Sequence, residues 1–373
     1  MDKRITEALP SILSKLRKNK TEEIKAFLGF DACIDKITLI VKNKKENGEQ
    51  EYYTNLRHFG EFLISRENKS CGLELHTKQS KIGGNMVIMA NALGSLGFKV
   101  DCIGTFGLPG ILPIFNSMSA NCTLYTVSET IQVTALEFND SKVMMYDPGP
   151  YFTLDWKDIK NLLGKEKLKE LFTGKQLVSF VNWSEIENAT QIWQGILEEV
   201  LPSVVMPDTT PYFFTDLADF ARKPEKEIQT LMELLGRFKH YFRVIISLNE
   251  NEADLVAKAM GVQRHTADEV FIRSLYNSIN VDVLIIHRTK DAIAFDNSSF
   301  EKCDTFFCEK PTLLTGAGDN FNAGFCFSLF HNLNLFQSLL LGNAGSGSYV
   351  KNGNSSEIYS LIDFLEQSLS ANH

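Results

Sequence analysis

The stretch LLTGAGDNFNAGF, residues 313–325, places Gly316, Ala317, Gly318 and Asp319 directly in front of an apolar helical pattern. The first N–H groups of a helix have no partner within the helix, and small side chains leave them open to a ligand. The helix dipole adds partial positive charge there, so the turn predicts an anion site. A carboxylate beside an anion is explained if it accepts a proton from an attacking hydroxyl. From these residues alone, a tight turn capped by Asp319 is equally consistent.

Five apolar runs have the length of a strand, namely residues 99–107, 176–183, 203–209, 242–249 and 281–289. The segments between them have helical periodicity. This alternation predicts a mostly parallel sheet with helices on both faces. Ligands of such sheets bind beyond the carboxyl ends of the strands. Polar residues that directly follow the runs are therefore the candidates for a site.

Two other segments have the pattern of antiparallel strands. Residues 24–55 combine an apolar strand pattern with the polar turn KNKKENGEQ, and residues 122–147 contain two or three short strands around the turn FNDSK. Together they predict a small sheet that stands off the main body. The predicted division assigns residues 37–55 and 121–147 to the small sheet, and residues 1–36, 56–120 and 148–373 to an α/β domain.

The composition is that of a globular protein, because 44% of the 373 residues are hydrophobic and 23% are charged. The net charge of -8 argues against nucleic acid or an acidic membrane as a partner, since phosphate-rich surfaces are bound by clustered Lys and Arg. Seven cysteines without a C-x-x-C pair indicate reduced thiols in a cytoplasmic protein. The sequence contains no P-loop motif and no zinc-type spacing, and we expect neither secretion nor membrane insertion.

The segment TGAGDNFNAGF resembles the C-terminal signature of the PfkB/ribokinase family of carbohydrate and nucleoside kinases, D-T-T-G-A-G-D-x-F-x-x-G. Three further segments resemble elements of that family in the family's order, namely FLGFDACID (27–35), KIGGNMVIMANALGSLGFKVDCIGTFG (81–107) and LNENEADL (248–255). The similarity spans about residues 25–355. It implies a ribokinase-like α/β fold with a mostly parallel central sheet, helices on both faces and a small β lid. It also implies an ATP-dependent carbohydrate kinase of the PfkB type.

The resemblance assigns catalysis to the opening stretch. Asp319 would be the general base that deprotonates a substrate hydroxyl, and the amides of Gly316, Ala317 and Gly318 would hold the charge on the transferred phosphate. The sugar-binding residues that the resemblance implies are Asp35, with Asp31 as second choice, Gly83, Gly84 and Asn85. From the residues alone, the two glycines and the Asn favour an ordinary strand-to-helix turn.

The N-x-x-E element places Asn249 and Glu252 three residues apart on the first turn of a predicted helix. The resemblance assigns these residues to Mg²⁺, which keeps most of its waters and would reach the phosphates through them. The residues alone favour a capping box formed by Asn249 and Glu252, and both roles can coexist. The nucleotide-binding residues that the resemblance implies are Asn249, His287, Thr289, Thr315, Gly316, Gly318 and Asn343.

Three departures from the family pattern concern the ligands. Leu313 and Leu314 replace an acid and a threonine, which makes activation by a monovalent cation doubtful. Ile88 replaces an Asn that is expected to contact the sugar. His287 and Thr289 lie where the family has a glycine-containing nucleotide loop, so we expect the adenine end to be held differently.

The remaining expectations concern one further acid and the partners. Asp208, in the segment VVMPDTT, lies just beyond a predicted strand, where the family often has an acid that faces the cleft. The implied partners are a small sugar or sugar-like substrate and a nucleotide. A homodimer through the lid is also expected, because open strand edges invite pairing. A nucleoside kinase and a catalytically silent sugar-binding module of the same fold are the alternatives.

Overall fold

The computed structural model describes residues 3–18 and 23–370 of the chain. The strands, in chain order, are β1 (Lys25–Phe30), β2 (Cys33–Lys44), β3 (Gln50–Tyr52), β4 (Leu75–Gly83), β5 (Lys99–Gly104), β6 (Cys122–Thr126), β7 (Ile131–Glu137), β8 (Lys142–Tyr146), β9 (Leu177–Val181), β10 (Tyr212–Asp216), β11 (Arg243–Asn249), β12 (Val283–His287), β13 (Asp291–Phe295) and β14 (Phe300–Asp304).

The α-helices are α1 (Lys3–Arg17), α2 (Leu56–Ile64), α3 (Asn85–Ser95), α4 (Gly149–Thr153), α5 (Trp156–Leu163), α6 (Lys165–Phe172), α7 (Ala189–Gly195), α8 (Glu225–Phe238), α9 (Glu250–Ala259), α10 (Asp268–Ser278), α11 (Ala317–Ser328), α12 (Leu335–Asn352) and α13 (Ile358–Ser370). Short 3₁₀ segments occur at Pro113–Ser117 and Leu201–Ser203, and a π-helical turn occurs at Ile196–Val200.

In the described part of the chain, nine strands form a large sheet in the order β14-β13-β12-β11-β10-β9-β1-β5-β6. The strands from β12 to β6 in this order run parallel, and β13 and β14 add an antiparallel edge. Parallel neighbours need crossover connections, which here are mostly helical and cover the sheet. The predicted mostly parallel sheet with helices on both faces is confirmed.

A hydrophobic cluster lies on each side of the large sheet. On one side the cluster includes Trp156 of α5 and Val256 of α9. On the other side it includes Met86 of α3, Phe325 of α11 and Leu361 of α13. Helices α3 and α11 therefore share one face of the sheet, and they also pack against each other.

One predicted strand is wrong in position. The run 203–209 is not a strand, and Val205 within it is 67% exposed. The strand is β10, whose Phe213 and Phe214 are completely buried. Aromatic side chains that are covered on both faces identify the central strand, whereas the run 203–209 contains a proline and stays near the surface. Asp208 therefore precedes the strand, and the acid at the strand's carboxyl end is Asp216.

The small sheet has the order β3-β2-β7-β8, and β4 pairs with β2 beside β3. Two of its boundaries differ from the predicted ones. Residues 75–83 belong to the small sheet, because β4 pairs with β2, although its polar sequence lacks apolar alternation. Residues 122–126 belong to the large sheet, because β6 pairs in parallel with β5. Only the pairing partners, which lie far away in the sequence, decide these assignments.

The two sheets meet at one edge of the α/β domain. β1 leads after two residues into β2, so the small sheet continues from the carboxyl end of β1. Helices α9 and α11 begin near this edge, as does α3, which follows β4 directly. Strand ends and helix N-termini thus converge where ligands of such sheets bind. No helix among the described residues is long and apolar enough to cross a membrane.

Glycines allow α11 to lie very close to α12. A Cβ atom at Gly324 of α11 would be 2.5 Å from the carbonyl oxygen of Leu341. A Cβ atom at Gly345 of α12 would be 2.7 Å from the carbonyl oxygen of Asn320. These contacts are with backbone atoms, which cannot turn away as a flexible side chain can. The close approach therefore requires glycine at both positions.

We predict that Gly324→Ala lowers the free energy of unfolding by about 1–3 kcal/mol, as overpacking of a core does. Denaturant unfolding monitored by circular dichroism measures the effect. Gly60→Ala is the matched control, because Gly60 lies within α2 and a Cβ atom there has no neighbour within 4 Å. We expect the control to be neutral or slightly stabilising, since Ala is the better helix former. Equal stability of the two variants would contradict the packing argument.

Candidate active site

The turn that precedes α11 is tight. Gly316 has a φ of +96°, in the left-handed region that favours glycine. A Cβ atom at Gly316 would also lie 2.8 Å from the hydroxyl oxygen of Tyr349. That hydroxyl donates a hydrogen bond of 2.8 Å to the carbonyl of Thr315. Backbone conformation and lack of space therefore both require glycine at position 316.

The backbone amides of this turn are only partly engaged. The N–H of Ala317 donates to the carbonyl of Leu314 at 3.1 Å. Within the described residues, the N–H groups of Gly316, Gly318 and Asp319 have no hydrogen-bond acceptor. Of the predicted amides, that of Ala317 is engaged within the turn, whereas the amide of Asp319 is also free; the amides that contact a phosphate stay a prediction. Free amides at a helix N-terminus favour an anion.

Two cavities flank the turn. The first, of about 430 Å³, is lined by Thr315, Gly316 and Asp319 and is called the Asp319 cavity. The second, of about 560 Å³, is lined by Ala317 and Gly318 and is called the Gly318 cavity. Both are within the size range of small-ligand sites. The N-terminus of α11 therefore separates two binding spaces and contributes to both.

Asp319 is 5% exposed and lies in the first turn of α11. Its Oδ1 accepts a hydrogen bond of 3.0 Å from Nδ2 of Asn85, at the start of α3. Burial raises the pKa of Asp319 well above its ordinary value, and the negative charge of Asp216 adds to this effect. Such a carboxyl group is a better proton acceptor than an exposed aspartate.

Asp31 connects the end of β1 to the start of α3 and to Asn182 by hydrogen bonds. Its carboxylate accepts the N–H groups of Asn85 at 2.7 Å and Met86 at 2.9 Å, together with Nδ2 of Asn182 at 2.9 Å. Asp31 thus caps helix α3 from the end of β1. Burial nevertheless raises the pKa of Asp31 to about 6, against the lowering effect of these three hydrogen bonds. With both carboxylate oxygens engaged, Asp31 is less available to a ligand than Asp35.

Asp35 lies on β2, in the wall that the small sheet contributes to the Asp319 cavity. Its Oδ1 is 3.7 Å from the thiol of Cys33, and burial raises its pKa, whereas the charge of Lys81 opposes this. A Cβ atom at Gly83 would be 2.7 Å from Oδ1 of Asp35, and one at Gly84 would be 2.8 Å from Oδ2 of Asp31. The two glycines are therefore needed to fit the acids. The structure brings Asp31, Asp35, Gly84 and Asn85 together around this cavity, whereas Gly83 lies beside Asp35 and does not line it.

The Gly318 cavity contains five of the seven predicted nucleotide-binding residues, namely Asn249, His287, Thr289, Gly318 and Asn343. Thr315 and Gly316 line the Asp319 cavity instead.

Asn343 also has a structural contact in the Gly318 cavity, because its Nδ2 donates to the carbonyls of Cys303 and Asp304 at 3.0 Å each. This cavity also has an apolar rim that was not predicted, where Phe307 is 84% and Leu314 is 66% exposed. The exposure of Phe307 beside a cavity is visible only in the folded structure, so the sequence held no signal for this rim.

Asn249 and Glu252 form the capping box that the residues alone favour. The side chain of Asn249 accepts the N–H of Glu252 at 3.0 Å, and Glu252 accepts the N–H of Asn249 at 2.8 Å. Glu252 is 3% exposed, and burial followed by the charge of Asp216 raises its pKa to about 9. Both carboxyl oxygens of Glu252 accept hydrogen bonds from Asn249, so Glu252 would contact a metal ion through water.

Asp216 is a candidate site residue that the sequence did not reveal. Its carboxylate accepts Nδ2 of Asn322 at 2.7 Å and the N–H of Ala218 at 3.0 Å, and it lies 3.8 Å from Nε2 of His287. Burial tends to raise the pKa of Asp216, but His287 and the two hydrogen bonds lower it by more. Asp216 therefore stays charged and acts electrostatically on Asp319 and Glu252. Asp216 was not predicted because the strand was placed at 203–209, which made Asp208 the residue at the carboxyl end of the strand.

The donor chemistry around Asp216 fits a hydrated Mg²⁺. Within residues 3–18 and 23–370, no group of three or more Asp, Glu, His or Cys side chains is arranged to hold a metal ion directly. Asp216 and Glu252 are nevertheless both buried acids, and the charge of Asp216 disfavours a charge on Glu252, so a nearby cation would relieve this repulsion. Carboxylate oxygens that accept from metal-bound water are compatible with this arrangement.

Buried polar atoms without a partner concentrate at the same edge of the sheet. Among the described residues, Oδ1 of Asn182, Oγ of Ser247, Nε2 of His287 and Oδ1 of Asn322 are buried and have no hydrogen-bond partner. Such atoms are rare in protein interiors, because leaving them unpaired costs free energy. Their concentration here indicates a place for ordered water or a ligand.

Comparisons with known proteins identify the family and the fold. The model of the prokaryotic ketohexokinase family matches residues 1–368. The chain is 26% identical over 331 residues to a ketohexokinase of Haloferax volcanii, which covers 88% of this chain and 87% of that protein. The adenosine kinase of Sinorhizobium meliloti superposes with a TM-score of 0.64 at 16% identity, covering 92% and 99% of the two chains. A ribokinase-type protein of Escherichia coli in complex with ATP and Mg²⁺ gives a TM-score of 0.60 at 12% identity, covering 92% and 99%.

These findings establish the class of protein and its family. The chain is an ATP-dependent carbohydrate kinase of the PfkB type, with the ribokinase-like fold and small lid sheet that the sequence predicted. Within that class, it belongs to the prokaryotic ketohexokinase family.

We predict that Gly316→Ala weakens ATP binding about 10-fold or more, because a hydrogen bond to a charged group contributes about 1.5–3 kcal/mol. A Cβ atom at this left-handed position strains the turn and displaces its free amides. Isothermal titration with ATP measures the dissociation constant. Gly164→Ala is the matched control, since Gly164 has a φ of +76° but no neighbour within 4 Å of an added Cβ. Equal ATP affinity of the two variants would show that the turn does not bind the nucleotide.

Proposed function

We propose that the protein transfers the terminal phosphate of ATP to a hydroxymethyl group of a ketohexose, with Asp319 as the general base. The observation that carries this proposal is the N-terminus of α11, which separates the Asp319 cavity from the Gly318 cavity. A nucleotide tail in one cavity and a sugar in the other would meet at the free amides. The family model and the name of the Haloferax relative support a ketohexose as the sugar.

The chemical step follows from this arrangement. The sugar hydroxyl oxygen attacks the terminal phosphorus of ATP, the bond from that phosphorus to the bridging oxygen breaks, and ADP leaves. The hydroxyl proton passes to Oδ2 of Asp319, since Oδ1 is held by Asn85. The N–H groups of Gly316, Gly318 and Asp319 donate to the phosphate oxygens during the transfer.

The metal and the sugar contacts complete the proposal. Asp216, Glu252 and Asn249 would hold Mg²⁺ through its water shell, and Mg²⁺ when bound neutralises charge on the phosphates. Asp35 and Asn85 would bind sugar hydroxyls, because each lines the Asp319 cavity. A homodimer through the small sheet remains a prediction.

The second candidate is a nucleoside kinase, which the similarity to the adenosine kinase fold favours. At 16% identity this similarity shows the fold alone, so the substrate has to be measured. A silent sugar-binding module is not proposed, because the chain belongs to a kinase family.

We predict that Asp319→Asn lowers kcat about 10²- to 10⁴-fold, which is the usual contribution of a general base. ATP affinity is expected to be retained, because Asn occupies the same volume and leaves the free amides in place. A coupled assay of ADP release and titration with ATP measure the two quantities. Asp363→Asn is the matched control, since Asp363 is an exposed residue of α13.

The pH profile gives an independent test of the base. Protonation inactivates a base, so kcat/KM of the wild-type enzyme should fall as the pH falls through the raised pKa of Asp319. The acidic limb should therefore lie well above the ordinary aspartate value of 3.8. Unchanged turnover of Asp319→Asn, or an acidic limb at the ordinary value, would contradict the assignment.

We predict that a ketohexose such as fructose is used with a kcat/KM at least about 10-fold above that of ribose or adenosine, because polar sites reject ligands that leave their groups unpaired. Initial rates with each substrate at several concentrations measure this selectivity. Phosphorus NMR of the product then identifies the hydroxyl that carries the phosphate. A preference for adenosine would support the nucleoside kinase instead.

A further inference from the structure

One wall of the Asp319 cavity is also the wall of a second, larger space. An open groove of about 1030 Å³ lies beside the cavity. Tyr146, Glu185 and Arg222 line both spaces, as do Met144 and Asp219. These side chains therefore separate the proposed sugar site from solvent in the groove.

The side chains of this wall come from separate parts of the fold. Tyr146 ends β8 of the small sheet, whereas Glu185 and Arg222 lie in the loops that follow β9 and β10 of the large sheet. The hydroxyl of Tyr146 donates to Oε2 of Glu185 at 2.5 Å. Nη2 of Arg222 lies 3.9 Å from Oε1 of the same carboxylate. A single carboxylate thus connects the small sheet to the α/β domain.

The hydroxyl of Tyr146 connects strand β8 to two side chains of the α/β domain, because Arg222 hydrogen-bonds to it beside Glu185. Burial, followed by the hydrogen bond to Glu185, raises the pKa of Tyr146, which keeps the phenol protonated and able to donate. Arg222 has an 85% exposed side chain, so this side of the contact borders solvent. A contact at such a border can open to admit a ligand and close again.

We propose that Tyr146 and Glu185 form a latch that closes the Asp319 cavity during phosphate transfer. The proposal rests on the function proposed above, and it makes both residues positioning residues that do not take part in the chemical step. With the latch closed, the small sheet holds the sugar against Asp319 and keeps water from the phosphate.

The latch has a chemical consequence when it fails. Water then enters the Asp319 cavity and attacks the terminal phosphorus of ATP in place of the sugar. The bond to the bridging oxygen breaks, ADP and inorganic phosphate form, and the proton of water passes to Asp319. ATP is then consumed without formation of a sugar phosphate.

The test measures inorganic phosphate and sugar phosphate in the same reaction, with ATP, Mg²⁺ and fructose. Tyr146→Phe keeps the ring in the wall but removes the hydrogen bond. We expect it to raise the ratio of inorganic phosphate to sugar phosphate, and the KM for the sugar, about 10-fold, since a hydrogen bond to a charged group is lost. Glu185→Ala should have a similar effect, and the double variant should be no worse than either single variant.

Two further variants separate a latch from general damage. Glu185→Gln retains an oxygen that accepts from Tyr146, so its ratio should lie closer to that of the wild type. Tyr52→Phe removes a phenol hydroxyl of the same small sheet, which donates to Gln50 at 2.9 Å, and it should leave the ratio unchanged. Circular dichroism establishes that each variant is folded.

The outcomes distinguish the two proposals. If the wild-type enzyme forms no phosphate ester of the sugar, the proposed function fails. If the wild type forms the ester, and either Tyr146→Phe or Glu185→Ala is folded and keeps the wild-type ratio and KM, the latch is overturned. A rise in the ratio for both variants, without a rise for Tyr52→Phe, supports it.

Discussion

The position of Asp319 depends on how closely helix α11 approaches its neighbours. Gly324 and Gly345 let α11 and α12 meet backbone to backbone, with no room for an added Cβ atom. Asn322, one turn after Asp319, donates to Asp216 at the end of β10. These contacts fix the helix, and the helix in turn places the carboxylate between the two cavities. The packing of small residues, and not a strong contact of the carboxylate itself, therefore determines the geometry of the site.

Four of the five buried acids at this edge of the sheet have clearly different environments. Asp31 receives three hydrogen bonds and caps a helix, whereas Asp216 is kept charged by its hydrogen bonds and by His287. Asp319 accepts one hydrogen bond from Asn85 and Glu252 accepts two from Asn249, yet burial raises the pKa of both. Burying several acids together costs free energy of folding. Such a cost is common at sites that move protons or bind cations, where the charge is compensated only when ligands are present.

The site combines a rigid floor with a more loosely attached wall. The floor consists of strand ends of the large sheet, held by hydrophobic clusters on both faces. The wall is the small sheet, whose hydrophobic cluster is much smaller and is centred on Ile40, Phe59 and Leu136. A kinase has to exclude water and still exchange its sugar. The difference in packing between floor and wall is suited to this requirement.

Features that depend on neighbouring residues could be read from the amino-acid sequence. The Gly-Ala-Gly-Asp turn, the capping box of Asn249 and the alternation of strands and helices are local patterns, and they led to the correct fold and family. The pairing of the strands could be seen only in the tertiary structure. The structure placed β4 in the small sheet, moved a central strand to 212–216 and so revealed Asp216, and engaged the amide of Ala317. Strand pairing and burial depend on residues far apart in the chain, and the energies of those contacts are not visible in any short stretch of sequence.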